Sequence, residues 1–204
     1  MIEFDAYALD CRLFGRIDLE TERLTDLLNA TPELRIVDVR LESLVDGHGV
    51  DLPELAVDRA ELCAVLATEP RGDVARRLRT HATRVVVELG PYHVEGAVHG
   101  TPASDPLARA LRREAWVPLT DATIRYLRAG EPAFEEMSTL LVNRDLATTF
   151  KPLEEAAATS LPWESAAASH ASSSRAIDLT AELRDEDHQE PPDTPPPGAS
   201  DPTV

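Results

Sequence analysis

The chain has 204 residues, of which 43% are hydrophobic but only 4% aromatic, and its formal net charge is −17. This length suffices for one or two small domains, each of which buries only a small core by itself. A charge of this sign repels phosphate backbones, so composition disfavours nucleic acid as the general partner.

The charge is distributed unevenly along the chain. Residues 1–70 carry 16 acidic against 6 basic side chains, residues 71–152 carry 10 against 12, and residues 153–204 carry 11 against 2. The middle region concentrates arginines near one predicted helix, namely Arg109, Arg112 and Arg113. Such arginines contact a nucleic acid, form a solvated face or pair with the acidic first region, and the short tether between the regions favours pairing over nucleic acid.

The first 70 residues are predicted to form a small unit that is mainly β. Alternating or β-branched patterns predict strands around residues 13–17 and 36–39 and a strand pair within residues 55–65, with a helical segment at residues 23–28. Cys11 and Cys63 are isolated within strand-like patterns. Buried reduced thiols are the simplest interpretation, and a disulfide or a reactive thiol is the alternative.

A connector at residues 71–83 leads to a second unit at residues 84–152. Residues 85–89 and 92–99 predict a hairpin around the Gly-Pro turn, with His93 and His99 on one solvated strand face. A short helix is predicted within residues 103–113, followed by strand at residues 116–124. The unit is expected to end in a closing hairpin at residues 140–150, turning around Asn143, Arg144 and Asp145.

The two units repeat the same order of patterns at an offset of 80 to 84 residues, which predicts a tandem duplication. Gly15 and Gly96 should then occupy equivalent places, each in a bent strand where a side chain would clash. The alternative is that two unrelated α+β stretches coincide by chance.

The motifs of the second unit resemble a family of uncharacterised bacterial proteins with a small Sm-like or SH3-like β-barrel. The resemblance rests on Val-Glu-Gly-Ala-Val-His-Gly at residues 94–100, Trp-Val-Pro-Leu-Thr-Asp-Ala at residues 116–122 and Leu-Val-Asn-Arg-Asp-Leu-Ala at residues 141–147. It covers the second unit and, more weakly, the first. It implies that Asn143 and Arg144 line a base-binding pocket, whereas turn chemistry is the alternative from the residues themselves.

The last region, residues 153–204, has a low-complexity acidic and proline-rich composition that predicts disorder. Ile177, Leu179 and Leu183 form a small apolar face if their segment is helical, as in tails that dock into grooves. An inconsequential set of aliphatic residues is the alternative. Deleting residues 163–204 is expected to leave the thermal midpoint nearly unchanged.

The sequence contains no motif for catalysis, a cofactor or a metal. We therefore expect an α+β, mainly β protein with two tandem small barrel units, short inserted helices and a disordered tail. The acidic start and the lack of a long apolar run predict a cytoplasmic location with no membrane. The expected role is protein interaction or self-association without enzymatic activity, and the alternative is an RNA- or DNA-binding regulator that uses the arginines.

Overall fold

A computed structural model of the chain describes residues 1–68, 80–102, 104–112 and 114–153. Most of the predicted connector and nearly all of the predicted tail lie outside the described residues, as do Arg113, Ile177, Leu179 and Leu183. The described part is mainly β with two short helices, which confirms the mainly β character predicted from the sequence. Within it, no helix is long and apolar enough to cross a membrane.

The first half contains five strands and one helix, and the second half repeats their order. In the first half they are β1 Ile2–Ala8, β2 Cys11–Ile17, α1 Leu24–Ala30, β3 Glu33–Ser43, β4 Gly49–Asp58 and β5 Leu62–Leu66. In the second half they are β6 His81–Leu89, β7 Tyr92–Gly100, α2 Pro106–Arg112, β8 Trp116–Arg128, β9 Glu131–Asn143 and β10 Thr149–Pro152. A single 3₁₀ turn follows the fourth strand of each half, at Arg59–Glu61 and Arg144–Leu146.

The ten strands form one antiparallel sheet in the order β10-β6-β7-β8-β9-β5-β1-β2-β3-β4. The halves join where β5 pairs with β9, through Ala64 with Val142, Val65 with Leu141 and Leu66 with Leu140. The described strands therefore make one open sheet with β4 and β10 at its edges. Two separate barrel units, which the sequence predicts, are not confirmed by this arrangement.

The predicted closing hairpin at the end of the second unit is wrong. β9 ends at Asn143 and β10 pairs with β6, with Thr149 opposite Glu88 and Phe150 opposite Val87. The 3₁₀ turn redirects the chain, because Asn143 caps it by accepting a hydrogen bond from the Asp145 N–H at 3.2 Å. The strand that follows the turn thus leaves its sequence neighbour for a partner about 60 residues away.

The predicted helix of the second unit is present but shorter, at Pro106–Arg112. Pro106 suits the first helical position, where no backbone N–H is needed. Asp105 precedes it, and its carboxylate accepts the Leu107 N–H at 2.9 Å, as an N-cap does. Local chemistry therefore sets where this helix begins.

Two apolar cores lie on the sheet, and each half contributes residues to both. Trp116 and Leu141 belong to the second half but are buried in the core of the first half. Tyr7, Leu44 and Cys63 make the reverse contribution to the core of the second half. Neither core is complete without the other half.

Gly15 and Gly96 lie at matching bends of the second strand in their halves, as the sequence predicts. The pairing register shifts at each, between Phe14 and Arg16 in β2 and between Glu95 and Ala97 in β7. A Cβ on Gly15 would lie 2.6 Å from Ile36 Cγ2, and one on Gly96 would lie 2.9 Å from Leu119 Cβ. Each bend thus brings a strand backbone against the next strand, where only glycine fits.

Candidate functional site

The predicted arginine patch is only partly described. Arg109 and Arg112 lie exposed on α2, and among the described residues neither forms a salt bridge. Arg109 faces a groove of about 460 Å³ that also contains Arg23 and the acidic side chains of Asp26 and Glu114. Charges of both signs therefore line this groove.

The structure supports turn chemistry for Asn143 and Arg144. Asn143 is only 3% exposed, and its side-chain amide donates to the Leu62 carbonyl at 3.0 Å, across the junction of β9 and β5. The Arg144 guanidinium donates to the Leu111 carbonyl at 3.2 Å and to the Asp145 carboxylate at 2.8 Å. Asn143 thus links the two halves from the inside of the protein.

His93 does not lie on a solvated face, contrary to the sequence prediction. Its side chain is buried, with Nδ1 at 2.7 Å from Glu88 Oε1 and Nε2 at 3.4 Å from Glu95 Oε1. Arg125 also donates to Glu95 at 2.7 Å. His99 is exposed on the same strand, as predicted. Glu88 of the neighbouring strand β6 and Glu95 of β7 itself are thus the polar partners of His93, and Arg125 of β8 in turn binds Glu95.

Sequence reasoning missed the most connected polar group of the described residues, the Arg12 cluster, which consists of Arg12, Asp5, Glu135 and Tyr126. Arg12 in β2 is 5% exposed. One guanidinium nitrogen donates to both oxygens of Asp5 at 2.9 Å, and the other contacts the Glu135 carboxylate and the Tyr126 hydroxyl, the latter at 3.0 Å. Arg12 Nε is buried and has no hydrogen-bond partner among the residues that the structure describes.

Aromatic rings surround the Arg12 guanidinium. It lies 4.4 Å from the ring centroid of Tyr7 and 4.6 Å from that of Phe14, within the range of cation–π attraction. Tyr7, Tyr92 and Tyr126 meet edge to face with centroids 5.4 to 6.0 Å apart. Each such pair adds about 1 kcal/mol beyond its buried area. Strands from both halves supply these rings, so the cluster holds the halves together.

The charges in the Arg12 cluster shift in the directions expected of burial and close pairing. Burial raises the pKa of the Asp5 carboxyl, and the nearby Arg12 guanidinium offsets part of that rise. Burial lowers the pKa of Arg12, but Tyr7, Asp5 and Glu135 together raise it above its ordinary value. Arg12 is therefore a fixed cation. Its carboxylate and hydroxyl partners come from β1, β8 and β9, so the cluster links strands of both halves.

Further contacts between the halves lie near the tips of two hairpins. Arg128 at the end of β8 donates to Glu42 of β3, and the Ala129 N–H donates to the Leu44 carbonyl at 2.8 Å. The Tyr92 hydroxyl donates to the Ala8 carbonyl at 2.6 Å. Backbone and side-chain contacts thus reinforce the β5–β9 junction well beyond its three residue pairs.

The two edge strands of the described sheet are the remaining candidate surface. One side of β4 pairs with β3 and one side of β10 pairs with β6, and neither strand has a second partner strand among the described residues. Val45 and Val50, beside and on β4, are 81% and 45% exposed. Unpaired backbone groups next to exposed valines are suited to accept another strand. No pattern within one strand identifies an edge.

Comparisons with protein-family models, with characterised proteins and with solved structures find no match to this chain. The function is therefore inferred from the geometry of the chain itself.

Proposed function

We propose that this chain is a non-enzymatic protein-interaction module that serves as a cytoplasmic scaffold or regulatory adaptor. The observation that carries the proposal is the outer side of β4, which pairs with no other strand in the described part of the chain; Val50 is exposed on this strand and Val45 in the turn before it. A partner that adds a strand there gains backbone hydrogen bonds, and exposed side chains select it.

The proposal also concerns the evolutionary origin and the fold type of the two halves. We propose a tandem duplication of a small Sm-like or SH3-like β-barrel unit. The repeated element order supports it, as do the matching bends at Gly15 and Gly96. Asp38 lies two residues after Ile36, which faces Gly15, and Asp121 lies two residues after Leu119, which faces Gly96. Both aspartates have a left-handed backbone, with φ of 51° and 46°.

The backbone of Ala56 gives a direct test of the β4 edge. The Arg59 N–H donates to the Pro32 carbonyl, and Glu33 lies opposite Asp58. Because bonding alternates along an antiparallel pair, Val57 bonds to β3 and Ala56 directs its N–H and C=O outward. Ala56→Pro removes the outward N–H and leaves the β3 ladder intact, whereas Ala56→Ser keeps it.

The experiment compares the full chain, Ala56→Pro and Ala56→Ser as baits in affinity purification with mass spectrometry. We expect the full chain and Ala56→Ser to capture a specific partner that Ala56→Pro does not capture. Equal capture by all three baits would show that the β4 edge is not the binding surface. A bait without residues 163–204 tests whether the segment with Ile177, Leu179 and Leu183 contributes.

The second candidate function is RNA or DNA binding through the second half. Exposed Arg109 and Arg112, with no salt bridge among the described residues, favour it, and the net charge of −17 opposes it. Binding of labelled single-stranded RNA to the full chain should be measured over a salt series, with Arg109→Glu/Arg112→Glu as the variant. Salt-sensitive binding that the variant loses would favour this function. We expect no such binding.

A further inference from the structure

We propose that the chain self-assembles head to tail, with β10 of one copy pairing with β4 of the next. The inference rests on the proposed interaction function because it uses the same β4 edge, and it names a second copy of this chain as an occupant of that edge. It starts from the junction of β5 and β9, which already shows how the fifth strand of one half pairs with the fourth strand of the other. Within the described ranges, the strands without a second partner are β4, the fourth strand of the first half, and β10, the fifth strand of the second half.

The matching positions on β4 and β9 follow from the pairing registers. Ile36 faces Gly15 and Leu119 faces Gly96, so these two residues correspond. Leu55 pairs with Ile36 and Leu140 pairs with Leu119. Residues 55–57 of the free edge therefore correspond to residues 140–142, which β5 covers inside the chain.

The matching positions on β10 and β5 follow in the same way. Arg12 and His93 each lie three residues before the glycine of their strand. Tyr7 pairs with Arg12 and with Ala64, whereas Glu88 pairs with His93 and with Thr149. Residues 149–151 of β10 therefore correspond to residues 64–66 of β5.

These correspondences fix the register between copies. Thr149 lies opposite Val57 of the next copy, Phe150 opposite Ala56, and Lys151 opposite Leu55. Inside the chain, Val65 lies opposite Leu141 in the position where Phe150 would meet Ala56. Between copies, the large side chain of Phe150 would lie opposite the small one of Ala56. Inside the chain, Val65 and Leu141 are both of medium size.

The backbone directions agree with this register. The Ala67 N–H donates to the Thr139 carbonyl, so by alternation Val65 and Leu141 exchange backbone hydrogen bonds. Ala56, which corresponds to Leu141, directs its backbone groups toward the open side of β4. Phe150 corresponds to Val65 and presents the complementary groups from β10.

Two differences make the contact between copies weaker than the one inside the chain. Pro152 corresponds to Ala67, the residue that follows β5, and proline has no N–H to donate. Asp58 corresponds to Asn143, whose side-chain amide donates across the β5–β9 junction. A carboxylate has no N–H group and cannot make that bond. Self-association is therefore expected to depend on concentration. Because the two surfaces differ, assembly continues until a ring closes or a filament forms.

Asp58→Asn supplies a variant that should strengthen assembly. The Asp58 carboxylate caps the turn at Arg59–Glu61 by accepting the Ala60 N–H at 2.8 Å, and an amide oxygen retains that bond. The new amide N–H₂ group can donate to the Ala147 carbonyl of the neighbouring copy, as Asn143 does to Leu62. Asp51→Asn is the matched control, because it removes the same charge from the same strand without reaching the contact.

The test is sedimentation velocity of the full chain over a concentration series. The mass should rise above the 22.3 kDa of one copy. Ala56→Pro should remain monomeric and Ala56→Ser should behave as wild type. Asp58→Asn should associate at about threefold to tenfold lower concentration, the gain of one hydrogen bond. Asp51→Asn should show no such gain.

A mixing experiment distinguishes head-to-tail pairing from pairing of like edges. Phe150→Pro blocks the β10 edge and Ala56→Pro blocks the β4 edge, so each variant alone should be monomeric. Mixed, they should form dimers and nothing larger. Dimers of Phe150→Pro alone would overturn the proposed pairing. Thermal unfolding shows whether Phe150→Pro folds, and the Ala56 and Asp58 variants decide the question if it does not.

A full chain that stays monomeric up to about 1 mM, or that associates equally well with Ala56→Pro, would overturn self-assembly. The proposed function fails separately, since it depends on whether Ala56→Pro loses a captured partner other than the chain itself.

Discussion

Individual residues in this protein acquire their roles from neighbours on other strands. Arg12 would be an exposed cation on an isolated hairpin, yet Asp5 of β1, Glu135 of β9 and the rings of Tyr7, Phe14 and Tyr126 enclose it. Asn143 likewise closes the junction between halves while it caps a turn. Polar residues thus connect the two cores.

Arg12→Met tests the contribution of the Arg12 cluster to stability. Removing the guanidinium leaves Asp5 and Glu135 without their cation, which should lower the free energy of unfolding by about 3 kcal/mol. Thermal unfolding should show a midpoint lower by roughly 6 to 12 °C. Arg16→Met is the control, because Arg16 and Asp38 form an exposed pair worth less than about 1 kcal/mol. Equal shifts for the two variants would contradict the assigned role.

The two cysteines give a prediction about pH. Burial raises the pKa of Cys63 to about 11, and that of Cys11 is also about 11. Because the folded thiol keeps its proton above pH 9, where the unfolded thiol loses it, stability should fall as pH rises from about 9 to 11. Cys63→Ala should show a smaller fall in chemical denaturation. A parallel pH dependence in both proteins would contradict burial as the cause.

At the scale of elements, close approach of backbones decides where strands bend. β2 and β7 each shift register at a glycine, and each bend lets the following strand cross closely. The 3₁₀ turns then set the direction of the fifth strand in each half, so that β5 reaches β1 and β9 whereas β10 reaches β6.

Gly15→Ala should destabilise the protein by about 1 to 3 kcal/mol, because its Cβ would meet Ile36 Cγ2 at 2.6 Å and the Val37 carbonyl at 3.0 Å. Gly49→Ala is the matched control, since its nearest neighbour at 3.1 Å is the flexible end of Arg40. Urea denaturation of both variants makes the comparison. A Gly15→Ala variant as stable as Gly49→Ala would show that the bend relaxes at no cost.

At the scale of the whole molecule, the halves exchange core residues and share one sheet. The first core needs Trp116 and Leu141 from the second half, and the second needs Tyr7 and Cys63 from the first. An isolated half would expose both its unpaired strand and the cavity that these side chains fill. Residues 1–68 and 80–153 are therefore expected to unfold together.

A single cooperative transition is the measurable consequence. Trp163→Phe leaves Trp116 as the only tryptophan, a second-half residue that reports on the first core. Its fluorescence and far-UV circular dichroism should change at the same urea concentration. Leu28→Ala in one core and Val94→Ala in the other should each shift both signals together. Two separated steps would contradict mutual dependence of the halves.

The sequence by itself determined the elements whose signals are local. Alternating apolar residues marked the β6–β7 hairpin, the pattern within residues 103–113 marked the presence of α2, and the repeated glycine pattern marked the bends at Gly15 and Gly96. Each depends on a few consecutive residues and on backbone chemistry that any fold would respect. Only the tertiary structure decided that β5 pairs with β9, that β10 leaves β9 for β6, and that Arg12 and His93 are buried. Those outcomes depend on register and packing between residues up to 123 positions apart, as for Arg12 and Glu135, which no pattern within a single strand encodes.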